Sequence, residues 1–210
     1  MKKSTLLSIT LFIGITVTYG QQTIAVKKLD KAGIPKAVTY VGQVKSAIQW
    51  KDMAGNHVVV LAEKGPYQNP KYKHEEDGSD GELYAYHYLL IDTAALIWKL
   101  YDYVRDCPLD MEAEFIQNSL SVTDLDKDGV GEIWFLYRIA CHGDVSPAEL
   151  KLFLYQGRQK YAMRGQTKVR ISEKETIGGD YQFDAAFHAA PKVFRDYAQM
   201  LWKKFVQQSE

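Results

Sequence analysis

The hydrophobic pattern of this chain is that of strands as far as residue 164 and of a helix after residue 191. A half-buried strand alternates with period two because successive side chains point to opposite faces, whereas a helix repeats near 3.6. Residues 57–63 are rich in β-branched side chains and read as a strand. Residues 83–92 and 96–104 alternate well enough to pair, joined through Asp92-Thr93-Ala94. Residues 150–155 and 160–164 flank Gln156-Gly157-Arg158-Gln159, a hairpin signal. The stretch before them is less regular: 21–35 reads as an irregular or extended entry, and 38–50 as a strand followed by a turn at 51–56. Residues 64–82 carry Pro66, Pro70 and an acidic run from His74 to Glu82, which reads as a solvated loop, with a second metal site or a mobile lid as alternatives. Pro191 suits a first helical turn. Beyond it Val193, Tyr197, Leu201 and Phe205 recur every four residues, with Phe194, Ala198 and Trp202 beside them, an apolar stripe that packs a helix near 191–207 on a sheet. The expected fold class is α+β and mainly β, with antiparallel sheet and a C-terminal amphipathic helix. Residues 21–210 are long enough to enclose a core as a single domain.

One interruption of the strand pattern carries chemistry. Residues 124–132 read Asp-Leu-Asp-Lys-Asp-Gly-Val-Gly-Glu, between Ser121-Val122-Thr123 and the apolar run 133–139. Calcium takes six to eight oxygen ligands, and a D-x-D-x-D-G turn delivers them from a short stretch of chain. The expected ligands are the carboxylates of Asp124, Asp126 and Asp128, the carbonyl of Val130, and Glu132 directly or through a water. Gly129 stands where the sharp turn favours positive φ. The helix-loop-helix version needs a Glu at position twelve, which here is Phe135, so the pattern implies strand, calcium loop, strand. An ion-free Asp/Gly hairpin turn is the alternative. Four acidic groups crowded into nine residues repel one another without a cation, which favours the ion. Magnesium keeps its waters and suits such a cage less well. The earlier turn Asp52-x-x-Gly55 echoes Asp126-x-x-Gly129 without the other carboxylates and is expected to bind nothing.

The first twenty residues read as an address. Lys2 and Lys3 form a basic start, residues 6–18 are mostly apolar, and Thr18-Tyr19-Gly20 places small residues at a cleavage site. The apolar run is shorter than the roughly 20 residues of a membrane span. A signal peptide over 1–20, export, and a mature chain from about Gln21 are expected, located in the periplasm, at the cell surface or secreted, with no membrane span after cleavage. In an oxidising compartment Cys107 and Cys141 pair more readily than they persist as thiols. Since they bracket the acidic loop, crosslink and ion would fasten the same segment. The full chain balances 26 basic against 26 acidic residues, and removing the leader leaves 24 against 26. So neutral a surface offers no electrostatic case for nucleic acid.

Other chemistry is sparse. No nucleophile elbow, zinc helix, phosphate-cradling loop or dinucleotide fingerprint occurs. His142, Asp144 and Ser146 lie close in sequence, but a triad needs spatial convergence, and a turn explains them equally. Tyr84, Tyr86 and Tyr88 share one face of a strand, as do Tyr101 and Tyr103, in patterns that suit sheet packing first and sugar stacking second. Val122-Thr123-Asp124-Leu125-Asp126, the turn Cys141-His142-Gly143-Asp144-Val145-Ser146-Pro147 and Lys160-Tyr161-Ala162-Met163-Arg164-Gly165 together resemble a family of small exported bacterial envelope proteins labelled surface polysaccharide biosynthesis. The resemblance spans roughly residues 95–170. It implies a Gram-negative envelope setting and a partner in envelope polysaccharide or an envelope protein, with no assigned reaction. The acidic loop also resembles the calcium turns of FG-GAP and VCBS repeats, but one copy without the Phe-Gly lead-in does not make a propeller. The expected function is a calcium-stabilised, non-catalytic envelope module. The alternatives are a glycan hydrolase using carboxylates of the 74–82 loop or near Glu132, and a lectin using the tyrosine faces.

Overall fold

A computed structural model describes residues 24–207, and the expected leader over 1–20 lies outside the described residues. The first of two antiparallel sheets is a meander in chain order: β1 (Val26–Lys28), β2 (Gln43–Asp52), β3 (Gly55–Tyr67), β4 (Ser79–Leu90) and β5 (Ala94–Cys107). The second contains β6 (Met111–Phe115), β7 (Ser121–Thr123), β8 (Glu132–Cys141), β9 (Glu149–Gln156), β10 (Gln159–Gln166) and β13 (Tyr181–Phe183). Its order is β13-β10-β9-β8-β6, with β7 beyond β6 along the same edge of β8. A ribbon of β11 (Lys168–Arg170) and β12 (Thr176–Gly178) precedes β13, and two helices follow it, α1 (Ala185–Ala189) and α2 (Lys192–Phe205). The chain is thus mainly antiparallel β with a C-terminal helix, the class its hydrophobic pattern implies.

Burial explains the layers. The sheets pack face to face through Trp50, Val59, Leu61, Leu83 and Leu100 of the first and Phe115, Ile133, Phe135, Tyr137, Phe153 and Tyr155 of the second. The opposite face of the second sheet, with Trp134, Leu136, Leu152 and Leu154, is covered by Phe187 of α1 and by Phe194, Ala198, Leu201 and Trp202 of α2. The opposite face of the first, with Val58, Val60, Tyr84, Tyr86 and Tyr88, is covered by Leu29, Ile34 and Val38 of the entry segment. β8 is therefore buried on both sides from Glu132 to Tyr137, which accounts for its near-continuous apolar run.

Several elements depart from the sequence reading. The seam of α2 is Phe194, Ala198, Leu201 and Trp202, while Val193 is 36% exposed, so the stripe is rotated towards its flanking residues. The supposed loop 64–82 is shorter, because β3 runs to Tyr67 and β4 begins at Ser79. β6 was not anticipated, although Met111-Glu112-Ala113-Glu114-Phe115 alternates cleanly. Cys107 and Cys141 form a disulfide across a separation of 34 residues. It joins the end of β5 to the end of β8 and so ties one sheet to the other. No helix among the described residues is long and apolar enough to cross a membrane.

Candidate metal centre

The acidic loop is the connection between β7 and β8, whose ladder closes at Thr123 and Glu132. Lys127 (φ 62°) and Gly129 (φ 80°) adopt left-handed backbone, which turns the chain sharply enough to aim alternate side chains inward. Carboxylate oxygens of Asp124, Asp126 and Asp128 all lie within 4.8 Å of one another. Calcium–oxygen bonds of about 2.3–2.6 Å span ligand pairs up to roughly 5 Å apart, so these three fit the ion. Among the described residues they form the group of three or more acidic, His or Cys side chains suited to a metal. Burial, with the Asp126 and Asp124 carboxylates alongside, pushes the Asp128 carboxyl above its ordinary value.

Val130 and Glu132 are both drawn into hydrogen bonds within the loop. Val130 meets the group through its N–H, which donates to Asp128 Oδ1 at 2.8 Å. Glu132 is fully buried and turned towards the backbone of the loop. Its carboxylate accepts from Thr123 Oγ1 (2.6 Å), from Leu125 N (2.7 and 3.0 Å) and from Asp126 N (3.3 Å). Burial pushes this carboxyl up despite those bonds. Glu132 thus shapes the first half of the loop from behind, and it stands outside the three-carboxylate group.

Two neighbours were not recognised in the sequence. Gln156, at the end of β9, places Nε2 3.0 Å from both Asp126 Oδ2 and Asp128 Oδ2. A side-chain amide turned over would offer Oε1 instead, so Gln156 could add an oxygen to a bound cation. The hairpin signal at 156–159 located this residue on a turn but could not show what the turn faces. The second neighbour is the echo turn at 52–55. Met53 N donates to Gly129 O (3.0 Å), and Gly131 N donates to Asp52 Oδ2 (2.9 Å). A Cβ on Gly129 would lie 2.3 Å from Met53 Sδ, and one on Gly131 2.8 Å from Trp50 Nε1. Gly129 is needed for its positive φ, and Gly131 because Trp50 and Val122 leave no room for a side chain. Burial alone would raise the Asp52 carboxyl, but Gly131 N–H, the Trp50 indole and His57 outweigh it and hold it below its usual value. A groove of about 410 Å³ opens beside this contact, lined by Ile24, Lys51, Met53 and Asp124.

The remaining candidates resolve into structure. Asp80 and Glu82 of the acidic run lie in β4, 0% and 3% exposed, both paired with Arg105 (3.3 and 2.7 Å). His74 binds Asp80 (2.9 Å), and Asn69 donates to both carboxylates, so the loop is tied down at its base rather than freely solvated. Buried, paired carboxylates of this kind are not poised in an open cleft. Tyr86 and Tyr88 point their hydroxyls at the entry segment, where Val41 N donates to Tyr86 Oη and Tyr88 Oη donates to Thr39 O. Tyr101 and Tyr103 are exposed, their rings tilted at 31° with centroids 5.6 Å apart, and the Arg105 guanidinium lies over the rings of Tyr72 and Tyr103. His142 and Asp144 approach only to 4.0 Å. A cleft of about 560 Å³ opens between the sheets and contains Glu63 and Glu114. Glu63 accepts from Phe115 N (2.7 Å) and pairs with Lys45 (3.0 Å), while Glu114 pairs with Arg138 (2.5 Å). Burial pushes the Glu63 carboxyl up.

Compared with known proteins, the chain matches no family profile, no curated protein and no solved structure.

Proposed function

We propose that this chain is an exported, non-catalytic module stabilised by calcium, working in the cell envelope in connection with surface polysaccharide. The observation that carries the calcium reading is the convergence of Asp124, Asp126 and Asp128 on a loop gripped by the β2–β3 turn of the opposite sheet. Those three residues would hold the cation, with Gln156 within reach of two of them. The chemistry supplied is charge neutralisation: the carboxylates no longer repel, and the loop offers Gly129 O and Gly131 N–H to the turn in one fixed arrangement. The leader-like residues 1–20 and the disulfide support export, and the envelope and polysaccharide setting comes from the family resemblance.

The test is a melting curve of the mature protein in calcium, in magnesium and in EDTA, beside Asp126→Ala. Calcium is expected to raise the melting temperature of the native protein and leave the variant unmoved. At 100 times its Kd the ion would add about 2.7 kcal/mol. A native protein indifferent to calcium and EDTA would end the metal reading. A glycan array then addresses the partner.

A second reading is favoured by the cleft that holds Glu63 and Glu114. Burial pushes the Glu63 carboxyl up, and glycoside hydrolysis works through a pair of carboxyl groups facing one cleft. Release of reducing sugar from envelope glycan, abolished by Glu63→Gln, would replace the non-catalytic reading.

A further inference from the structure

The inner face of the first sheet carries a hydrogen-bond chain that neither the acidic loop nor the ion pairs explain. His57 Nε2 lies 2.9 Å from Asp52 Oδ1, and His57 Nδ1 lies 2.9 Å from His87 Nε2. His57 is 5% exposed and His87 2%. Beyond them, His87 Nδ1 and Trp98 Nε1 are buried atoms without a protein partner. The two residues are cross-strand partners in the β4–β5 ladder, their rings 5.3 Å apart.

The direction of the chain follows from its fixed end. Asp52 accepts from Gly131 N, Trp50 Nε1 and Ala54 N, and donors of this number keep it an ionised, accept-only group. His57 Nε2 must therefore carry the proton. In the form of His57 that carries one N–H, which the proposal below takes, Nδ1 accepts from His87 Nε2, and a single N–H on His87 makes its Nδ1 an acceptor. Trp98 Nε1 can only donate. A lone acceptor and a lone donor are thus buried on neighbouring rings whose centroids lie 5.3 Å apart.

A group bound between them must accept from the indole and donate to the imidazole. A cation cannot accept, and an anion cannot donate. A small hydroxyl does both. We propose that His87 and Trp98 together bind a single internal water, completing a chain from Trp98 through water, His87 and His57 to Asp52 in which every proton points towards the carboxylate. The surroundings agree. Trp50 stacks on both imidazoles at 4.8 and 5.5 Å, Tyr155 of β9 stacks on Trp98 at 3.9 Å, and Asp52 is the charged group that meets the pair. Burial, and then the neighbouring His57, push the His87 imidazole down to about 3, so it stays neutral and available as an acceptor. Because Asp52 also binds Gly131, His57 and His87 act as positioning residues for the turn that grips the acidic loop. The inference holds whether or not that loop carries a cation.

Nitrogen-15 NMR of the full mature protein reads the chain directly between pH 5 and 8. Both His57 and His87 are expected as Nε2–H tautomers, with no titration of His87, and the Trp98 indole proton is expected to show a cross-peak to a long-lived water. Trp98→Phe should remove that cross-peak. Should the variant fail to fold, the native spectrum decides alone. A proton on His87 Nδ1, or a Trp98 indole bonded straight to His87 with no water contact, would overturn the proposal.

Discussion

Glu82 is a charged side chain in an almost closed interior, and its neighbours make that tolerable. It accepts from Tyr84 (2.7 Å), Tyr101 (3.0 Å), Asn69 (3.2 Å) and Arg105 (2.7 Å). Burial alone would raise its carboxyl, but the hydroxyls and the guanidinium outweigh it and hold it at about 2. His87 is likewise depressed, to about 3. Both groups titrate lower when folded than when unfolded, so the stability they contribute is complete at neutral pH and is lost on acidification. Melting temperature should fall as pH drops from 6.5 towards 3, with a further loss between 4.5 and 2 that traces to Glu82. Melts of the native protein and of Glu82→Gln across this range check it: the variant should lack the lower step. Arg105 keeps Asp80 as a partner in this variant, so losing the Glu82 charge should itself cost about 1–3 kcal/mol. None of this was legible in the acidic run 74–82. Charge along a sequence reads as solvation until a partner 23 residues away folds back onto it. Gly131 was equally opaque. Its φ is ordinary, and its need for no side chain comes from Trp50 and Val122 across the gap. Gly131→Ala should destabilise by about 1–3 kcal/mol in urea unfolding.

At the scale of elements, the hairpins were readable because each is local. The β4–β5 ladder closes at Leu90 and Ala94, and the β9–β10 ladder at Gln156 and Gln159, where turn residues and alternation coincide in a short window. β6 was overlooked because it does not close a tight hairpin with its partner: residues 116–131 intervene before β8 begins. The helix was readable in kind but not in phase. A stripe repeating every four residues drifts against 3.6 residues per turn, so the sheet selects which edge of it to bury. The contrast is measurable. Trp202→Ala should cost about 3–5 kcal/mol, since its ring is 2% exposed and its Nε1 donates to Gly179 O (3.0 Å). Val193→Ala, on the outward edge, should stay within about 0.5 kcal/mol. Denaturant curves of the two variants would show whether the phase is right. The three clustered aspartates were legible because their spacing is local, whereas Gln156 and the Asp52 turn come from other hairpins and leave no mark in the spacing.

Across the whole molecule, the expectation that crosslink and acidic loop fasten one segment gives way to a different geometry. They stand at opposite ends of β8, nine residue steps apart, or roughly 30 Å in extended chain. Each joins the two sheets: Cys107–Cys141 through β5, and the acidic loop through Asp52 and Met53 of the β2–β3 turn. In the chain-entropy picture a closure of 34 residues contributes about 4 kcal/mol. Cys107→Ser with Cys141→Ser should lose most of that, and hydrogen exchange should quicken first at the Cys141 end of β8 while the Glu132 end keeps its protection. Between the two fasteners β8 is buried on both sides from Glu132 to Tyr137, so neither end can open far while the other holds. A strand anchored in this way senses its surroundings. With the proposed calcium site, both anchors would be slack where thiols stay reduced and calcium is scarce, leaving the sheets to apolar contact and to polar links such as those of Tyr137 and Lys151 to Asp102. Where the medium is oxidising and calcium plentiful, the disulfide forms and, on the proposed reading, the acidic loop would fill, tightening both ends without any other change in the chain. The same sequence would then be pliable on one side of a membrane and rigid on the other, with β8 as the spine that records which side it has reached.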